Sequence, residues 1–186
     1  MLTVTVKPVE TYDEDTETFG QSMPKPVSVS LEHSLISISK WEATWKQAFL
    51  GNRPKTPAMV LDYIVCMIVT PKPIPDGLIE SLQSAENQDV LDAIQAYIDD
   101  EHTATHFANR QEKNGGGPQD TVTSELIYSW IVECNLDWSV ERWHLGRLLT
   151  LIHVCEIQNA RKERAAKENR SALRSANAAR HRAHRR

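Results

Sequence analysis

Ser34-Leu-Ile-Ser-Ile-Ser-Lys-Trp-Glu-Ala-Thr-Trp-Lys-Gln-Ala-Phe49 is the stretch where the chain changes its period. Leu35, Ile38, Trp41, Trp45 and Phe49 recur every three or four residues, the spacing of one apolar stripe on a helix. Ser34 stands where an N-cap belongs, and Gly51-Asn52 supplies the stop. Upstream the period is two. Leu2 to Val6 alternates apolar residues with Thr, and Val27, Val29 and Leu31 do the same after Pro24 and Pro26. Residues 1–33 therefore read as an N-terminal β ribbon whose two strands flank an acidic loop. That loop has little to bury, so it is expected to be mobile.

Downstream the helical spacing persists. Thr56-Pro57 pairs an N-cap with a proline at the first helical position, and Met59, Val60, Tyr63, Ile64 and Met67 follow as a stripe. This segment is apolar nearly all round, which predicts a central helix. Pro71, Pro73 and Pro75 end it, and a short helix is expected around Leu78 to Leu82. Val90, Leu91, Ile94, Tyr97 and Ile98 predict another helix, with Asp89, Asp92 and Asp99 on its far side. Gly115-Gly-Gly-Pro118 marks a flexible loop. Leu126, Ile127, Trp130, Ile131 and Cys134 give a fourth helix, and Val140, His144, Leu148, Leu151, Ile152 and Cys155 a fifth. The fold class is mainly α: about five helices over residues 34–158, a small N-terminal β ribbon, and a basic tail over 159–186.

The composition supports a globular body. Of 186 residues 40% are hydrophobic and 25% charged, which excludes collagen-like and fully disordered chains. The net charge of -4 conceals a polarity, since residues 159–186 carry ten Lys or Arg against two acids. Five acids without a base lie between Glu10 and Glu17. The tail (Arg161, Lys162, Arg164, Lys167, Arg170, Arg174, Arg180, Arg182, Arg185 and Arg186) has Leu173 as its one large aliphatic and no aromatic. With good helix propensity but no face to pack, it is expected to be disordered or helical only when bound. Its charge suits nonspecific neutralisation of phosphates, and without aromatics it cannot stack bases. The N-terminus lacks the charged and apolar regions of a signal peptide, and the longest apolar run, Met59 to Val69, is interrupted by Asp62. No membrane partner is expected. Cys66, Cys134 and Cys155 are odd in number and sit in apolar stretches, so they are read as reduced, buried thiols.

Candidate chemistry is sparse. His102-Thr-Ala-Thr-His106 places two imidazoles one helical turn apart, yet lacks the Glu that follows the first His in a zincin and has no third ligand at a metal spacing. The triple glycine is followed by Pro-Gln-Asp, not by the Lys-Ser/Thr of a phosphate loop. A Cys134 or Cys155 thiolate paired with His144 or His153 conflicts with the apolar stripes these cysteines occupy. The expectation is a non-enzymatic protein without cofactor or metal. Most of the five tryptophans should be core, with Trp138 the best candidate for an exposed interface anchor. Arg147, a cation among leucines, is expected to pair with an acid such as Glu133 or Glu141.

Five segments form an ordered set: Leu31-Glu-His-Ser-Leu-Ile-Ser-Ile-Ser-Lys-Trp-Glu42, Leu61-Asp-Tyr-Ile-Val-Cys66, Thr103-Ala-Thr105, Glu125-Leu-Ile-Tyr-Ser-Trp130 and Arg142-Trp-His-Leu-Gly-Arg-Leu-Leu-Thr-Leu-Ile152. The set resembles a family of tailed-bacteriophage tail assembly chaperones and tail-region proteins, from about Leu31 to Cys155. The resemblance implies a helical, non-enzymatic protein of the host cytoplasm that keeps the tape measure protein soluble during virion morphogenesis. A structural protein retained in the virion, at the tail or head-to-tail region, is the alternative. A nucleic-acid-binding accessory protein acting through the tail is another. Trp41, Trp45, Trp138, Trp143, His144 and Arg147 are the positions expected to serve the fold or the partner interface. Tape measure or other tail proteins are the expected partners, with self-association and nonspecific nucleic acid left open.

Overall fold

The computed structural model describes residues 1–13, 17–100, 102–105 and 121–183. They fall into two compact units, Met1–Leu148 and Leu149–Arg186. The fold is mainly α with a small antiparallel sheet at the N-terminus.

The alternating segments do pair. β1 (Leu2–Val6) runs antiparallel to β4 (Val27–Leu31), with Leu2 opposite Leu31 and Val6 opposite Val27. Val6, Val29 and Leu31 point into the core, while Thr3 and Ser30 join hydroxyls on the outer face at 3.2 Å. Between them, both described flanks of the acidic segment are strands. β2 (Glu10–Asp13) and β3 (Thr18–Gln21) form a separate antiparallel hairpin, and residues 14–16 lie outside the described residues. The backbone N–H groups of Val9 and Ser22 anchor its base, donating to the Ser22 hydroxyl and the Val9 carbonyl at 2.9 Å each.

α1 (Leu35–Trp45) starts at the Ser34 cap and buries Leu35, Ile38 and Trp41. It stops earlier than its stripe suggested. Lys46 adopts a left-handed conformation (φ 50°), so Phe49 lies on the following turn, where its N–H donates to the Glu42 carboxylate at 2.7 Å. α2 (Pro57–Met67) begins at the Thr56 cap with Pro57 in its first turn. Its core face is Tyr63, Ile64 and Met67, whereas Val60 is 43% exposed, so the helix is not central. The β-branched run Ile68-Val-Thr70, read as helix from its apolarity, is instead β5 (Ile68–Thr70), which pairs with β4 to complete the order β1-β4-β5.

α3 (Leu78–Gln83) and α4 (Gln88–Asp99) follow, joined by a 3-10 turn over Ala85–Asn87. Asn87 is fully buried and exchanges two 2.9 Å hydrogen bonds with the backbone of Lys7, which ties this turn to the end of β1. α5 (Ser124–Glu133) starts at the Thr123 cap and buries Ile127 and Ile131. Val140, expected to open the next helix, belongs to a separate 3-10 turn, Trp138–Arg142. α6 (Leu145–Ala183) begins in the first unit and forms the described part of the second. The tail is thus continuous helix through Ala183, in keeping with its Ala and Arg content. Among the described residues Cys66, Cys134 and Cys155 form no disulfide, and all three are half-buried, not buried.

Candidate functional site

Three sets of side chains were candidates for function: the named tryptophans with His144 and Arg147, the histidines, and the apolar faces left uncovered. Trp41 is core, fully buried, with its indole N–H donating to the Met59 carbonyl at 2.7 Å. Trp45, one turn on, is half-buried and donates to Asp62 Oδ2 at 3.1 Å. Both indoles therefore lock α1 onto α2. Trp143 is half-buried and Arg147 exposed, and the guanidinium lies over the indole ring at 4.4 Å instead of pairing with Glu133 or Glu141. Glu141 accepts the Tyr128 hydroxyl at 3.3 Å. Trp138 is 55% exposed, as its position before the last helix suggested.

His144 is buried and joins a ring cluster that sequence spacing did not reveal. His33 precedes the cap of α1, His144 precedes α6, and an antiparallel bridge between Ser34 and His144 brings the two together. The Leu145 N–H donates to the His33 carbonyl at 2.8 Å, so the start of α6 is pinned to the end of β4. The His33 and His144 rings meet edge to face at 5.0 Å, and His102 stacks on His144 at 4.2 Å. The nitrogens of His144 are both engaged: Nε2 lies 3.1 Å from the Tyr97 carbonyl, and Nδ1 accepts the Gly146 N–H at 3.3 Å. That pattern requires the neutral Nε2–H tautomer and leaves no lone pair for a metal. His33 Nδ1 bonds the Tyr63 hydroxyl, and His102 Nδ1 faces Asp100 at 3.1 Å. Among the described residues no group of His, Cys, Asp or Glu is arranged to hold a metal ion. His106 lies outside them, as does Gly115–Pro118.

Burial is the leading influence on the proton affinities of His33, His144, Tyr63 and Tyr97. Desolvation, reinforced by the neighbouring His144, pulls the His33 pKa down to about 4. His144 is lowered by burial too. Burial raises Tyr63, while burial and then the 2.5 Å hydrogen bond to Glu32 raise Tyr97. Burial thus favours the neutral rings of His33 and His144, which suits a structural clamp.

Among the described residues, apolar faces on the helices also stand open. Between α2 and α4 runs a groove of about 270 Å³, with Tyr63, Ile64 and Ile94 as its floor. Val60, Leu91 and Ile98 flank it, and Gln88, Asp92 and Gln95 supply a polar rim. Leu91, Gln95 and Ile98 recur at helical spacing, so the groove follows the axis of α4. Its volume falls below the roughly 300–1,000 Å³ of small-molecule pockets, and its shape suits a row of side chains from another helix. A second patch joins Trp138 to Tyr128, their rings 6.0 Å apart, beside the 62% exposed Val132 one turn along α5.

These features define a class: a mainly α-helical domain with an N-terminal antiparallel sheet, a clamp built on the buried His33 and His144, and open apolar faces on its helices. Among the described residues no helix is long and apolar enough to cross a membrane. No protein-family model, curated protein or solved structure matches the chain.

Proposed function

We propose that this protein is a non-enzymatic tail assembly chaperone of a tailed bacteriophage, acting in the host cytoplasm to keep the tape measure protein soluble. The phage assignment rests on the five-segment resemblance from Leu31 to Cys155. The observation that carries the binding mode is the groove between α2 and α4. A long amphipathic client exposes an apolar stripe, and a groove with Val60, Leu91 and Ile98 on its sides and amide and carboxylate groups on its rim covers such a stripe while staying wetted outside. The patch of Tyr128, Val132 and Trp138 offers a second aromatic contact of the kind that anchors interfaces.

Co-expression with the tape measure protein of the same phage tests this reading. The client stays soluble and co-purifies with the wild-type chain, and Leu91→Lys returns it to the pellet. A client equally soluble without this protein, or unaffected by Leu91→Lys, overturns the proposal. Mass spectrometry of purified virions separates a chaperone, which is absent, from a structural tail protein, which is present in fixed copy number.

The tail favours a second reading. Arg161, Lys162, Arg164, Lys167, Arg170 and Arg174 are all exposed on continuous helix, while the side chains of Arg180 and Arg182, and residues Arg185 and Arg186, lie outside the described ones. Nonspecific nucleic-acid binding through this segment predicts affinity that falls steeply with salt and disappears on truncation after Gln158.

A further inference from the structure

The β2–β3 hairpin carries a feature the chaperone reading does not use. Tyr12 and Phe19 are cross-strand partners on one face, their rings 5.0 Å apart, and they are 53% and 76% exposed. Glu10 lies two residues from Tyr12 and so shares that face, and every residue of β3 is exposed. An isolated two-stranded ribbon with an open aromatic pair is marginal alone and gains most by being covered.

A matching surface lies at the other end of the three-stranded sheet. A cleft of about 370 Å³ opens beside the first turn of α1 and the end of α2, with Ile36 and Val69 on its apolar walls and Lys40, Lys72 and Arg142 contributing cations. These three side chains are exposed, and among the described residues no carboxylate lies within ion-pair distance of them. Glu32, the one acid in the lining, is already engaged by the Met1 ammonium at 2.9 Å and the Tyr97 hydroxyl at 2.5 Å. The cleft thus presents uncompensated positive charge around an apolar floor. The hairpin presents Glu10 beside an aromatic pair, in a stretch whose sequence holds five acids and no base.

Topology decides which copy they serve. The cleft adjoins the Leu2/Leu31 end of the β1–β4 pair, and the hairpin leaves from the Val6/Val27 end, roughly 14 Å away at about 3.4 Å per residue. Hydrogen bonds hold the hairpin base there: the Ser22 hydroxyl is 2.6 Å from that of Ser81, which donates to the Gly77 carbonyl at 2.8 Å. The two surfaces face opposite ends of one sheet, so they meet only between molecules. We propose that the acidic, aromatic β2–β3 hairpin of one copy docks into the cationic cleft of Lys40, Lys72 and Arg142 on a second copy, joining copies head to tail. Such a heterologous contact repeats into a ring or an open array. The inference concerns the chain alone and does not depend on the client.

Sedimentation velocity on the purified full chain tests it over a concentration series and at two salt concentrations. The wild-type mass rises with concentration and the association weakens with salt. Tyr12→Ser with Phe19→Ser removes the aromatic anchors, and Lys40→Glu with Lys72→Glu reverses the cleft; each weakens association by about 100-fold or more. An equimolar mixture of the two double variants retains one good hairpin and one good cleft, so it forms a dimer and nothing larger. Should Lys40→Glu disturb folding, Lys72→Glu with Arg142→Glu reverses the same cleft. A wild-type chain that stays monomeric up to roughly 1 mM, association that survives both double variants, or a mixture that yields no dimer overturns the proposal.

Discussion

His33 makes stability depend on pH in a window that can be worked out in advance. Its ordinary pKa is 6.5, and burial beside His144 lowers it to about 4 in the folded chain. The unfolded chain therefore takes up the proton first as pH falls. Stability from the neutral, buried ring is complete above about pH 6.5 and is lost progressively as pH drops toward about 4. At about 1.4 kcal/mol per pKa unit, the loss due to His33 is about 3 kcal/mol. His144 is shifted in the same direction and adds to it. His33→Asn keeps a polar partner for the Tyr63 hydroxyl but removes the titration. Urea unfolding followed by tryptophan fluorescence is the suitable assay, because Trp41, Trp45, Trp130, Trp138 and Trp143 all lie within Met1–Leu148 and report that unit alone. Across the window the wild type loses about 3 kcal/mol more than His33→Asn, whatever the variant costs at neutral pH. Parallel curves for the two proteins would refute the argument that a buried neutral His33 holds β4 and α6 together.

Two further substitutions test the packing around the candidate surfaces. Gly77 has φ 75°, and a Cβ built there meets the Ser22 carbonyl oxygen at 2.0 Å, so Gly77→Ala is expected to cost about 3 kcal/mol or more and to lower Tm by roughly 10 °C. Glu42 is buried and accepts the Phe49 N–H at 2.7 Å with one oxygen and the Ser124 N–H, at the start of α5, at 2.8 Å with the other. Glu42→Gln sets an NH2 against one of those donors and should cost about 1–3 kcal/mol in urea unfolding at pH 7.

What was legible in the sequence followed from local rules. Ser34, Thr56-Pro57 and the short period around Leu78 to Leu82 mark helix starts through capping and periodicity, which act within a few residues. The alternation in Leu2 to Val6 and Val27 to Leu31 marks the strands in the same way. The readings that failed needed information from farther away. Phe49 has the right spacing for α1, but Glu42 turns the chain back through a side-chain bond to the Phe49 N–H. Ile68 to Thr70 looks like more of α2 until β4 offers a partner strand.

The sequence by itself determined the mainly α class, the places where most helices begin, the exposed tryptophan before the last helix and the charge polarity between the body and the tail. Only the tertiary structure decided that His33 and His102 both meet His144, that Arg147 rests on Trp143 rather than on an acid, and that the strands flanking the acidic centre pair and carry an open aromatic pair. The physical reason is range. Propensity and periodicity act over neighbouring residues, whereas His33 and His144 are more than a hundred residues apart and come together only through the Ser34–His144 bridge and the His144 contact with the Tyr97 carbonyl on α4.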